Sequence, residues 1–145
     1  MKILNEFKLT VSSKSVNESF CRTVVSAFIS QLDPTIEELS DLKTAVSEAV
    51  TNAIVHGYME REGDIYITAQ IIDNETVKIK IRDRGVGIES ISNAMQPLFT
   101  TGGSDRAGLG FTVMQSFCDR VNVTSSVGRG TTVTLTKRIY GKSKW

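Results

Sequence analysis

Glu48 and Asn52 stand four residues apart in a stretch where Leu39, Leu42, Val46, Ala49, Val50 and Ala53 recur with helical spacing. On a helix both lie on one face, one turn from each other, and that face is polar where the opposite one is aliphatic. A carboxylate and a carboxamide stacked in this way can serve a hydrated Mg²⁺, which needs one protein oxygen beside phosphate oxygens and water. Asn52 is then the direct ligand, and Glu48 is left to take a proton from a hydroxyl or a water. An isolated Glu-x-x-x-Asn pair is usually only a solvated helix face. Its meaning here depends on the segments downstream of it.

Three of these are rich in glycine. Asp83-Arg84-Gly85-Val86-Gly87 puts a carboxylate at the end of a strand, where it can accept from an exocyclic amine such as that of adenine. Gly85 and Gly87 lack a Cβ, so backbone there can approach a base or ribose closely. Taken alone, this is equally an ordinary surface turn. Gly108-Leu109-Gly110-Phe111-Thr112 opens a helix whose amides make a phosphate cradle. Gly128-Arg129-Gly130-Thr131-Thr132 reads first as a hairpin turn, with Thr131 able to support the pocket beside Asp83 through a water. Neither the lysine-bearing phosphate loop nor the lysine, HRD and DFG set of protein kinases is present. With His56-Gly57 after the first segment, the four in this order read as one ATP site. They resemble the N box and the three glycine boxes of the gyrase, histidine-kinase and mismatch-repair ATPase superfamily.

The elements that must position these residues are legible from periodicity. Residues 3–11 alternate as a strand with Ile3, Phe7, Leu9 and Val11 on one side. Ser15 with Glu18, and Thr35 with Glu38, read as two capping boxes that start two helices. The first helix carries Val16, Phe20, Val24 and Phe28 inward and stops at Asp33-Pro34. The second carries Ile36 through Ile54 inward, with Gly57 at its C-terminus. Residues 65–72 and 77–81 are strands joined by the hairpin Asp73-Asn74-Glu75. Residues 83–107 hold Gly85, Gly87, Pro97, Gly102 and Gly103 around a short helix at Ile88, Ile91 and Met95, and read as a functional lid. A helix over 109–117 and strands over 121–125 and 131–139 complete the chain. The expected fold is an α/β (α+β) two-layer sandwich, with a mixed, mostly antiparallel sheet, helices on one face and an ATP lid.

At 145 residues, 40% hydrophobic and 23% charged, the chain fits one domain, 1–145. Seventeen basic against sixteen acidic residues leave a net charge of +1, so no basic field argues for nucleic acid, and the Lys137-Arg138 and Lys142/Lys144 tail is the one basic cluster along the sequence. No leader and no apolar run of membrane-spanning length occurs, so a cytoplasmic protein without direct membrane contact is expected. Cys21 and Cys118 sit in apolar stretches and read as reduced, buried residues. No Cys/His cluster has zinc spacing.

The similarity extends further. Asn17-Glu18-Ser19-Phe20, Gln31-Leu32-Asp33-Pro34-Thr35, Ser47 to Ile54 and, most specifically, Gln96-Pro97-Leu98-Phe99-Thr100-Thr101 resemble the anti-sigma F factors of endospore-forming bacteria, from about Asn17 to about Lys137. That resemblance implies a homodimeric serine-protein kinase that silences the sporulation sigma factor F and phosphorylates its anti-anti-sigma antagonist. It implies Glu48 as general base, Asn52 as Mg²⁺ ligand, Asp83, Gly85, Gly87 and Thr131 as the adenine pocket, and Gly108 and Gly110 as phosphate contacts. Arg106 corresponds to the lid arginine near the γ-phosphate and Arg22 to the arginine shared by both protein partners; by itself an exposed arginine is usually just solvated. The lid departs from the family pattern: Gly102-Gly103-Ser104-Asp105 is one residue shorter and richer in glycine, and Asp105 replaces a usual glutamate. Other readings are a related switch kinase for a general-stress sigma factor, disfavoured by the 96–101 run, and a binding module that uses ATP only to order its lid. A detached sensor-kinase domain is disfavoured because no phosphoacceptor helix is present.

Overall fold

The structure, a computed structural model, describes residues 1–95 and 106–142, the side chains of 106–109 excepted. The elements are β1 (Ile3–Ser12), α1 (Val16–Ile29), α2 (Ile36–Asn52) running into a π-turn (Ala53–Gly57), β2 (Asp64–Ile72), β3 (Thr76–Asp83), α3 (Ile91–Ala94), α4 (Arg106–Phe117), β4 (Arg120–Ser126) and β5 (Gly130–Arg138). The five strands form one sheet in the order β1-β2-β3-β5-β4. Alternate residues Ile65, Ile67, Ala69, Val77, Ile79, Ile81, Val133 and Leu135 are buried, and the helices pack over that face. The two-layer architecture is therefore as expected. The sheet is antiparallel at each pairing, with no parallel pair among the described residues. The reason is topological: β3 and β4 run in the same direction, but β5 lies between them. No helix among the described residues is long and apolar enough to cross a membrane.

Two local expectations are corrected. Ser15 is helical (φ −54°, ψ −33°) and its side chain makes no cap bond. The chain has already turned there, with the Asn17 and Glu18 N–H groups donating to the carbonyls of Lys14 and Ser15. The Glu18 carboxylate pairs instead with Arg22 at 3.7 Å. The core line of α1 is Cys21, Val25 and Ile29, one residue round from the expected line. Two neighbouring apolar lines run down this helix, and only one can face the core. Val24 and Phe28 flank it half-buried, Phe28 meeting Phe7 edge-on at 4.8 Å, while Val16 and Phe20 are exposed. Ile36 is likewise 82% exposed, in the first turn of α2. Cys21 and Cys118 are free and buried, and burial pushes each thiol up to about 11.

The second capping box forms as expected. Thr35 is extended, its Oγ1 accepts from Glu38 N–H at 3.1 Å, and its own N–H donates to Glu38 Oε1 at 2.9 Å. The same carboxylate accepts from the N–H groups of Tyr140 (2.7 Å) and Gly141 (3.1 Å), so it latches the end of the chain to the start of α2. Partial burial would raise the Glu38 pKa, but these three N–H groups outweigh it and hold the carboxyl below its ordinary value. Glu38→Gln should cost about 1–2 kcal/mol at pH 7, read as a lower urea midpoint. Because the folded pKa lies below the unfolded one, the carboxylate's contribution is complete above about pH 4.3 and is lost as pH falls through the depressed value. The two proteins should therefore converge in stability in acid.

Candidate active site

β3 ends in Asp83, a carboxylate only 5% exposed. Burial raises its pKa, and backbone donors at Gly85 and Thr131 pull it part of the way back. Gly85 N–H donates to Oδ1 at 2.8 Å. The carboxylate lies flat against Gly57, the last residue of the π-turn, where a Cβ would stand 2.7 Å from Cγ and from Oδ2. Gly57 is thus required by contact, not as a left-handed helix cap; the left-handed residues are Met59 and Glu60 just beyond it. Gly85 stands behind the pocket rather than in its wall. A Cβ there would meet the Gly57 carbonyl oxygen at 1.9 Å, and Val86 N–H donates to that same oxygen at 2.9 Å. The end of α2 and the Asp83 turn are clamped backbone to backbone.

Thr131 pairs with Asp83 across β3 and β5 and is buried. Its hydroxyl lies 2.8 Å from Ser125 Oγ on β4, which accepts from Ile88 N–H at 2.7 Å and donates to the Gly130 carbonyl at 3.0 Å. Ser125 is a positioning residue that no motif points to. The signal for it is the inward alternation of Val121, Val123 and Ser125. Asn52, Asp83, Gly87 and Thr131 line one cavity of about 970 Å³, with Met59 and Glu60 at its wall. Two successive non-glycine residues at φ 54° and 64° store backbone strain of a kind that gathers at ligand sites.

Glu48 lines a different cavity, of about 510 Å³, together with Arg22, Ile36, Lys43 and Ser47. It nevertheless faces the first site's machinery through α4. A Cβ on buried Gly110 would stand 3.1 Å from Glu48 Oε2 and 3.2 Å from Asn52 Oδ1. A side chain at 110 would press on the polar face of α2 and push these two groups back by a few tenths of an ångström. Among the described residues, the buried side-chain polar atoms without a partner are Asn52 Nδ2 and Ser47 Oγ, which flank Glu48 along α2. Leaving such atoms unpaired is costly, which fits groups that await a ligand. The unpaired Asn52 Nδ2 is a donor that fits an acceptor such as a phosphate or water oxygen, and Oδ1 of the same amide is the oxygen that would serve a hydrated Mg²⁺. Among the described residues no group of three or more His, Cys, Asp or Glu gathers, so a cation would rest on very few protein oxygens.

Arg106 is the first residue of α4, and Gly108 lies in its first turn, whose N–H groups have no intrahelical acceptor. The helix thus starts three residues earlier than the expected 109. The Gln96–Thr101 run and Gly102–Asp105 lie outside the described residues. Arg22 reaches Glu18 at 3.7 Å and Ser19 Oγ at 3.4 Å, with its side chain 38% exposed. It lines the smaller cavity and shares no wall with Asp83 or Asn52.

The histidine kinase-like ATPase domain family matches residues 12–137. The anti-sigma F factor of Caldanaerobacter subterraneus subsp. tengcongensis is 56% identical over 140 residues, 96% of this chain and 97% of that protein. That of Anoxybacillus flavithermus is 52% identical over 141 residues, 97% and 96% of the two chains. Among solved structures, the RsbU and RsbW domains of a Mycobacterium tuberculosis protein superpose with a TM-score of 0.68 at 20% identity, over 93% of this chain and 32% of that one. A blue-light activated histidine kinase of Erythrobacter litoralis gives 0.59 at 18% identity, over 85% and 42%. These structures share the fold. The sequence identities go further: with its four boxes assembled around one cavity, the chain belongs to the anti-sigma F factor family, within the histidine kinase-like ATPase domains.

Proposed function

We propose that the chain, acting as one unit over 1–145, is an ATP-dependent serine-protein kinase that also binds and inhibits the sporulation sigma factor F. Its phosphorylation substrate is the anti-anti-sigma antagonist, and the active form is a cytoplasmic homodimer. The observation that carries this reading is the polar face of α2, on which Glu48 and Asn52, one turn apart, line two different cavities. Asn52, one turn along, opens on the larger cavity with Asp83 and Thr131, while Arg22 opens on the smaller with Glu48 itself. A nucleotide in the first and a protein segment in the second would bring γ-phosphate and acceptor hydroxyl together at Glu48.

Asp83 accepts from the adenine amine, Gly87 and Thr131 border the base, and Gly85 fixes the carboxylate through its N–H. The first turn of α4, with Gly108 and Gly110, turns its N–H groups to the phosphates, and Arg106 contacts the γ-phosphate. Asn52 would hold Mg²⁺, which neutralises phosphate charge when bound. Glu48 takes the proton of the acceptor serine as its oxygen bonds to the γ-phosphate and the bond to ADP breaks. Ile36, exposed beside Arg22, adds apolar surface to the partner groove. The family relatives' names support the sigma-factor target.

Glu48→Gln keeps shape while removing the base. Phosphorylation of the antagonist should slow by about 10²–10⁴-fold with nucleotide affinity unchanged; a wild-type rate in a radiolabelled-ATP assay would remove Glu48 from the chemistry. Asp83→Asn should weaken ATP and ADP together, by about 1–3 kcal/mol in calorimetry. A raised folded pKa means that the stability linked to Asp83 is present below the ordinary carboxyl range and lost as pH rises through the folded value. The ligand-free Asp83→Asn protein should therefore melt no lower than wild type at pH 7. Arg22→Ala should weaken both the sigma factor and the antagonist by about 2 kcal/mol. Pull-downs in which one partner is fully retained would separate the two surfaces, and lost ATP binding would make Arg22 structural.

A further inference from the structure

The helices cover one face of the sheet and leave the other open. Registered pairs place the same-face residues in rows across the strands. One row is Lys8, Thr68, Lys80, Thr134 and Asn122; its neighbours carry Lys78 and Arg120 on one side and Arg82 on the other. Five cations, Lys8, Lys78, Lys80, Arg82 and Arg120, thus share a single open face. None of the five enters an ion pair or a side-chain hydrogen bond among the described residues. The facing acids are Glu6, which is hydrogen-bonded by Gln70, Asp64, exposed at the start of β2 opposite Ser12, and Glu75 at the sheet's end, which pairs with Arg138 at 3.3 Å. A net charge of +1 conceals this face, because most of the sixteen acidic residues lie elsewhere.

The chemistry of the face selects its partner. Its one aromatic ring, Tyr66, is already covered by the Arg84 guanidinium, 4.8 Å from the ring centre. A protein interface core is instead poor in lysine and rich in aromatic residues. No apolar side chain stands out from these rows to anchor in a bilayer. Between the cations lie Thr68, Thr132, Thr136, Asn122 and Gln70, the hydroxyl and amide groups that accompany Lys and Arg on phosphate and sugar oxygens. Along β3, Lys78, Lys80 and Arg82 recur every second residue, about 6.6–6.8 Å apart. That pitch is close to the rise of two nucleotides, about 3.4 Å each along one strand. We infer that the open sheet face is a second binding surface that takes the sugar–phosphate backbone of duplex nucleic acid, without reading its sequence. Two copies of the face repel each other, so it does not serve self-association.

The test is fluorescence anisotropy of the full-length protein with a labelled duplex DNA of arbitrary sequence, titrated at several salt concentrations. Binding should be in the range of about 10⁻⁴–10⁻⁶ M, and log K should fall with log salt at a slope of about −3 to −4, for about four neutralised phosphates. The triple variant Lys78→Gln/Lys80→Gln/Arg82→Gln should lose at least about tenfold in affinity and flatten the slope by about 2–3. Its ATP affinity, measured in parallel, should match wild type and so report an intact fold. Lys2→Gln/Lys14→Gln/Arg61→Gln removes equal charge away from the face and should bind DNA almost as wild type. No binding at low salt, equal loss in both triple variants, or a face triple variant that binds like wild type would each overturn the inference. So would equal competition by polyglutamate or by phosphatidylserine vesicles at matched charge, since the surface would then answer to any polyanion.

Discussion

A carboxylate buried at the end of a strand must find hydrogen-bond donors, and here the backbone supplies them. Asp83 meets this constraint by resting on the Cα of Gly57 and accepting from Gly85 N–H, while its own strand pairs with Thr131. Each contact belongs to a different segment of the chain. The π-turn after α2, the turn after β3 and the start of β5 can meet only in one arrangement, and the large cavity is what that arrangement leaves open. The site's glycines therefore act first on the protein's own backbone and only then on a ligand.

Periodicity made most of the fold legible. The alternation in β2 and β3, the Thr35–Glu38 box and the Asp73–Asn74 turn, whose residues take φ of 52° and 58°, are all local signals with a local cause. Where two local signals compete, the sequence is silent. Ser15–Glu18 has the same pattern as Thr35–Glu38, but at Ser15 the backbone had already turned and taken the N–H that a cap would have used. The roll of α1 was likewise undecidable from two adjacent apolar lines, since the choice belongs to the packing against α2.

Of the site, the residue types were legible and their division was not. Glu48 and Asn52 share a helix face, as their spacing requires, yet they open on different cavities. Gly85 reads like a ligand-facing glycine and instead packs behind the pocket. Ser125 carries three hydrogen bonds beside Thr131 but sits in no glycine box. The basic sheet face was invisible for a related reason: its charges alternate with inward-facing residues and are spread over three strands, so no run of them ever forms along the chain.

The last strand is also a central one. β5 enters between β3 and β4 and supplies Thr131 opposite Asp83, so nearly the whole chain must exist before the sheet can close. A growing chain that ends short of β5 holds the three strands β1-β2-β3 apart from a lone β4, and the larger cavity lacks its Thr131 and Val133 wall. Contacts of such sequence separation form late and slowly. The order of the strands thereby ties the closing of the larger cavity to the synthesis of β5, and the Glu38 latch on Tyr140 and Gly141 comes within reach only after that.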